Sequence, residues 1–97
     1  MKKKLNLIIQ YSGKASKFLN RNDKIIHRDQ VRNFVVAAVK EIMRIEHSNI
    51  DLKPIKGKLK GSYRIKTGQL RIIFTLRQDI ISVALVESIS YRKDAYR

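Results

Sequence analysis

Apolar residues recur with two different periods along this chain, and the switches between them lay out its elements. In LNLIIQY, residues 5–11, Leu5, Leu7, Ile9 and Tyr11 alternate, which predicts a strand. Ser12 then offers an N-cap for a short helix over 14–20 carrying Ala15, Phe18 and Leu19. Asn22-Asp23 punctuates the chain and is placed to cap a second helix over 24–47. There Val31, Phe34, Val35, Ala38, Val39, Ile42, Met43 and Ile45 repeat at three and four, as one buried stripe requires. Arg28, Arg32, Lys40, Glu41 and Arg44 take the other side.

Both periods vanish over 48–61, SNIDLKPIKGKLKG, which holds the only proline and two of the four glycines and reads as a lysine-dense loop. Period two returns in three stretches, 62–66, 70–77 and 80–88, with a tight connection at Gln78-Asp79. The closing SYRKDAYR reads as a tail or one helical turn. The order is β-α-α-β-β-β. That predicts an α+β fold with a helical hairpin on one face of a mostly antiparallel four-stranded sheet.

Ninety-seven residues, 43% of them hydrophobic, make one domain with a compact core. There is no cysteine, which excludes disulfides, thiolate nucleophiles and cysteine-ligated metals. The leading MKKK is followed by an apolar run, Leu5 to Ile9, too short for a signal peptide or a membrane span. A cytoplasmic protein is expected.

Charge changes the picture more than any other bulk property. Twenty-two Lys/Arg against eight Asp/Glu give a formal net charge of +14. Such an excess works against compaction and points to a polyanionic partner. Nucleic acid leads, ahead of an anionic membrane, which would want an amphipathic helix with a basic polar face. An acidic protein partner is compatible with nucleic acid.

The charge is also placed. Between Asp51 and Asp79 stand Lys53, Lys56, Lys58, Lys60, Arg64, Lys66, Arg71 and Arg77, with no acidic residue among them. Alternation puts Leu70, Ile72, Phe74 and Leu76 under the helices and leaves Arg64, Lys66 and Arg71 on the open face. Like charges facing one another across strands repel, so a phosphate-binding face is the reading they suit. Tyr91, Arg92 and Tyr96 follow, and tyrosines beside a basic groove either stack on splayed bases or anchor the tail to the core. His27 and His47 are 20 residues apart and read as surface or packing residues; no metal site and no glycine-rich nucleotide loop is found.

In order along the chain come Leu59-Lys60-Gly61, Tyr63-Arg64-Ile65-Lys66, Gly68-Gln69-Leu70-Arg71-Ile72-Ile73 and Tyr91-Arg92-Lys93-Asp94-Ala95-Tyr96. With these fragments the chain resembles the toxins of bacterial type II toxin–antitoxin modules, the RelE/ParE superfamily. The resemblance covers essentially the whole chain and implies the same β-α-α-β-β-β order.

It further implies an mRNA interferase of the RelE branch, which cuts mRNA in the ribosomal A site. In that reaction the 2′-hydroxyl attacks the adjacent phosphate, without metal or cofactor. By position, Arg64 and Lys66 match strand residues that contact the phosphate, and Arg71 matches the transition-state arginine. Arg92 matches a phosphate-binding arginine and Tyr96 the C-terminal tyrosine that orients the nucleotide or assists proton transfer. Lys56, Lys58, Lys60 and Arg77 would extend the RNA-binding surface. The family's frequent histidine is Tyr91 here, so proton transfer is expected to fall to Lys66, Tyr91 or Tyr96. The implied partners are an acidic antitoxin, the ribosome and mRNA. The alternatives are a ParE-like poison of DNA gyrase and a degenerate toxin that retains only antitoxin or RNA binding.

Overall fold

A computed structural model of the chain describes residues 5–57 and 61–92. The elements run β1 (Leu7–Tyr11), α1 (Gly13–Arg21), α2 (Arg28–Ile42), β2 (Asp51–Pro54), β3 (Ser62–Thr67), β4 (Leu70–Arg77) and β5 (Ser82–Tyr91). One five-stranded sheet results, in the order β1-β5-β4-β3-β2. The expected α+β class holds. The expected four-stranded sheet is corrected to five strands, and β1 joins β5 in parallel while all other pairs are antiparallel.

The extra strand lies inside the lysine loop. β2 has one partly buried apolar side chain facing the helices, Leu52 opposite Ile65, so its alternation is too short to register as a period. It is an edge strand, and Pro54 closes it at a position where a missing N–H does no harm.

Both helices cover the same face. Ala15 and Leu19 of α1, with Val31, Val35, Ala38 and Val39 of α2, pack on Ile65, Leu70, Ile72, Phe74, Leu76, Ala84, Val86 and Ile89. Every one of those sheet residues belongs to the alternate set opposite Arg64 and Arg71. The basic face is therefore left without a helix over it.

Helix α2 is shorter than the predicted 24–47. It starts after His27, whose backbone N–H donates to Gln30 Oε1 at 2.8 Å. It stops in a Schellman turn: Arg44 takes φ 57, Arg44 N–H donates to the Glu41 carbonyl, and Ile45 N–H donates to the Lys40 carbonyl at 2.8 Å. Glycine normally fills that left-handed position. With arginine there, the apolar spacing that runs on to Ile45 conceals the stop.

Strand β5 also differs from expectation. It begins at Ser82 rather than Ile80, leaving Ile80 91% exposed in a four-residue connection, and it continues to Tyr91. Its register against β4 slips between Ile73 and Phe74: Ile73 faces Ser88 while Phe74 faces Val86. Glu87 is the extra residue of a β-bulge. The bulge keeps Val86 and Ile89 both on the core face although they are three apart, a spacing that breaks simple alternation.

At the other end of the basic hairpin, Gly61 has φ 90 and its carbonyl accepts from Leu76 N–H at 2.7 Å. A Cβ on it would stand 2.6 Å from the Leu76 carbonyl oxygen. Only glycine lets the chain enter β3 this close to β4.

Candidate functional site

Register converts the basic sequence into a surface. Lys66 of β3 lies between Asp51 of β2 and Arg71 of β4. One row along, Arg64 lies between Lys53 and Ile73. Two adjacent central strands thus set Arg64, Lys66 and Arg71 on one face, half-buried, with Lys53 joining from the edge. Lys66 directly opposite Arg71 is a like-charge cross-strand pair, an arrangement that taken alone costs stability.

The cations are partly organised already. Arg64 Nη2 lies 3.2 Å from Asp51 Oδ1, and the Arg64 side chain is only 13% exposed. Asp51 itself is about half exposed, so the pair serves to aim the guanidinium more than to stabilise the fold. A pocket of about 450 Å³ opens here, lined by Lys53, Pro54, Ile55, Arg64, Arg71 and Ile73. Its mixture of guanidinium groups and aliphatic floor suits a phosphate with a base or sugar beside it.

Other residues singled out from the sequence lie elsewhere. Tyr91 pairs with Leu70 on the helix-facing side of the sheet. Its ring sits 5.4 Å from that of Phe18, and its hydroxyl donates to Asn22 Oδ1 at 2.5 Å. Of the roles considered for Tyr91, these contacts are those of an anchor, with its hydroxyl bonded within the protein. Arg92 is exposed and folds back on the β3–β4 turn, with Nη1 3.4 Å from the Gly68 carbonyl. Arg77 shares the open face but ends β4 six residues beyond Arg71, about 20 Å away at strand spacing. Lys56 is exposed just past β2. Lys58, Lys60 and Tyr96 lie outside the described residues.

Sequence patterning missed Asp51, which reaches the site through the unrecognised strand β2, the strand that also carries Lys53 to the edge of the face. A second missed set crosses the same face. Ser62 Oγ lies 3.3 Å from Thr75 Oγ1, and the Thr75 hydroxyl donates to Glu87 Oε2. The departure from alternation at Glu87-Ser88 was the available signal, since Val86 and Ile89 are both apolar.

Tyr11 faces the helices as well. The Arg28 guanidinium stacks 4.4 Å from its ring centroid, and burial pushes its phenol up from the usual range against the opposing pull of Arg28 and Arg32. His27 caps α2, and His47 Nδ1 lies 3.2 Å from Glu41 on the surface. Among the described residues no group of three or more His, Asp or Glu could hold a metal ion. No helix there is long and apolar enough to cross a membrane.

No protein-family profile matches the sequence. No curated protein matches it either. Solved structures do. A chain of the E. coli DinJ–YafQ toxin–antitoxin complex superposes with a TM-score of 0.66 at 15% identity, covering 96% of this chain and all of that one. The chain has the fold of the YafQ and RelE toxins. YafQ from E. coli on its own gives 0.63 at 14% identity, over 93% of this chain and 98% of the other. A chain of the RelB–RelE antitoxin–toxin complex from Methanococcus jannaschii gives 0.53 at 21% identity, over 90% and 94%. The resemblance seen in the hairpin motifs and the structural comparison agree on one fold.

Proposed function

We propose that this chain is the toxin of a type II toxin–antitoxin module and a metal-independent endoribonuclease that cuts mRNA in the ribosomal A site. The observation that carries the reading is the convergence of Arg64, Lys66 and Arg71 on the one sheet face that neither helix covers. A gyrase-binding surface has no need of a phosphate cradle.

In this reading the scissile phosphate lies between Arg64 and Arg71. Guanidinium groups bind its non-bridging oxygens in forked pairs, and their charge is worth most when the phosphorane-like transition state gathers negative charge. Lys66 stands beside them as a cation able to give up a proton. Tyr96 orients the nucleotide, while Lys53, Lys56, Lys58, Lys60, Arg77 and Arg92 steer and hold the RNA backbone. In this reading Tyr91 serves as a packing residue, held by Phe18 and Asn22.

An acidic antitoxin is the matching protein partner. Its carboxylates would cover the same cations, so neutralisation and RNA binding compete for one surface. The decisive assay is primer extension on mRNA programmed into ribosomes, with the antitoxin removed. Cleavage within A-site codons that disappears in Arg71→Ala supports the reading. Absence of cleavage by folded wild-type protein, with gyrase-dependent DNA cleavage in its place, would favour the gyrase poison.

A further inference from the structure

The cradle supplies positive charge, but 2′-hydroxyl attack also needs a group to accept a proton. Among the described residues the open face carries two carboxylates, Asp51 and Glu87. Asp51 is engaged with Arg64. Glu87 is the other, and three features of its setting fit a proton acceptor.

The first is its placement. Glu87 is the inserted residue of the β5 bulge, next to Ser88, which faces Ile73, which in turn faces Arg64. Bulges re-aim a side chain, and this one sets a carboxylate two strands from Arg64 and one row away, about 10 Å between backbones. A base on the 2′-hydroxyl and a guanidinium on the adjacent phosphate each need only hydrogen-bond reach of one linkage, so side chains converging from this backbone spacing can both meet it.

The second is its support. The Thr75 hydroxyl donates to Glu87 Oε2, with Ser62 Oγ 3.3 Å behind Thr75. That fixes one carboxylate oxygen and leaves the other to act. The third is its backing. Ser12 Oγ donates to the Glu87 backbone carbonyl at 2.6 Å, locking the bulge from the helix side. The residue remains exposed at its carboxylate end, where substrate would lie.

We infer that Glu87 is the general base of the proposed cleavage, an assignment that rests on the nuclease reading above. Glu87 takes the proton of the 2′-hydroxyl as the 2′-oxygen bonds to the adjacent phosphorus. The bond from phosphorus to the 5′-oxygen breaks, its electron pair leaves with that oxygen, and the Lys66 ammonium protonates it. The products are a 2′,3′-cyclic phosphate and a 5′-hydroxyl. Glu87 is left protonated and Lys66 neutral, and exchange with water restores both. Arg64 and Arg71 hold the non-bridging oxygens throughout. The charged groups sharing this face are Asp51 and Lys53 of β2, Arg64 and Lys66 of β3, and Arg71 and Arg77 of β4; β1 offers Ile8 and Gln10, which do not titrate.

The test is single-turnover cleavage of a defined mRNA on ribosomes, from mildly acidic to mildly alkaline pH, by wild type, Glu87→Gln, Thr75→Val and Thr75→Ser. Glutamine keeps the shape and still accepts from Thr75. The expected loss in Glu87→Gln is about 10²–10⁴-fold, with ribosome binding unchanged and the decline toward acid pH abolished. Thr75→Val, which removes the hydroxyl that holds one carboxylate oxygen in place, should lower the rate about tenfold with ribosome binding unchanged, and Thr75→Ser, which keeps the hydroxyl, should restore it. Glu87→Gln cleaving at the wild-type rate, or keeping the acid decline, overturns the assignment while leaving the nuclease reading intact. If Glu87→Gln does not fold, Thr75→Val cleaving at the wild-type rate overturns it. Wild type that cleaves nothing overturns the nuclease reading itself, and the base with it.

Discussion

Ser12 Oγ accepts from Ala15 N–H at 3.0 Å and donates to the Glu87 carbonyl at 2.6 Å, so one hydroxyl caps α1 and satisfies the β5 bulge. Ser12 N–H meanwhile donates to the Val86 carbonyl. The start of the helix and the irregularity of the strand are tied at a single residue.

Ser12→Ala should therefore cost more than an ordinary cap. Loss of the cap and of the bulge carbonyl's partner together should lower stability by about 2 kcal/mol, read as a lower urea midpoint with unchanged slope. An effect under about 0.5 kcal/mol would mean that water replaces the hydroxyl at both places.

The elements with uninterrupted periods were legible in the sequence. β1, α1, β3, β4 and the stripe of α2 are where alternation or three-four spacing placed them, because each buries one face against a common core. The misses share a physical character. β2 makes its contribution through backbone pairing rather than burial, so no pattern marks it. The end of α2 depends on Arg44 accepting a left-handed conformation, and the bulge depends on a hydroxyl 75 residues away. Arg64, Lys66 and Arg71 were legible as a set because period-two geometry needs no tertiary information. Asp51 and Glu87 were not, since they reach the face only through the missed strand and the missed bulge.

Arg71→Ala should separate function from stability. Lys66 faces Arg71 across the strands as a like charge, so loss of the arginine relieves that repulsion while removing its other contacts. The variant should still unfold cooperatively, within about 1 kcal/mol of wild type, while mRNA cleavage falls about 10²–10³-fold. A variant that loses stability and cleavage in proportion would show that Arg71 is a packing residue.

Asp51 sets the charge that the cradle presents. Asp51→Asn removes a negative charge next to Arg64 and Lys66, so binding of single-stranded RNA should tighten at low salt. The slope of log affinity against log salt should steepen by about 0.7, and Arg64→Ala should flatten it by the same amount. Equal slopes in all three proteins would place the bound RNA elsewhere.

Tyr91→Phe distinguishes an anchor from a proton donor. The ring stays against Phe18, while the hydroxyl bond to Asn22 is lost. Stability should fall by about 1 kcal/mol, with cleavage by the folded protein unchanged. A large fall in cleavage at wild-type stability would return Tyr91 to the catalytic set.

Tyr11 should make the fold sensitive to alkali. Its phenol is raised in the folded protein by burial, which outweighs the opposing charges of Arg28 and Arg32, so the unfolded chain loses this proton first. Below the ordinary tyrosine range, near pH 10, both states hold the proton and the full contribution is present. As pH climbs from there toward the raised value, the unfolded state binds fewer protons than the folded one and stability declines. Urea midpoints measured across that interval should fall more steeply for wild type than for Tyr11→Phe, which keeps the ring under Arg28 but has no proton to lose. Parallel declines would assign the alkaline loss to the lysines, whose discharge is common to both proteins.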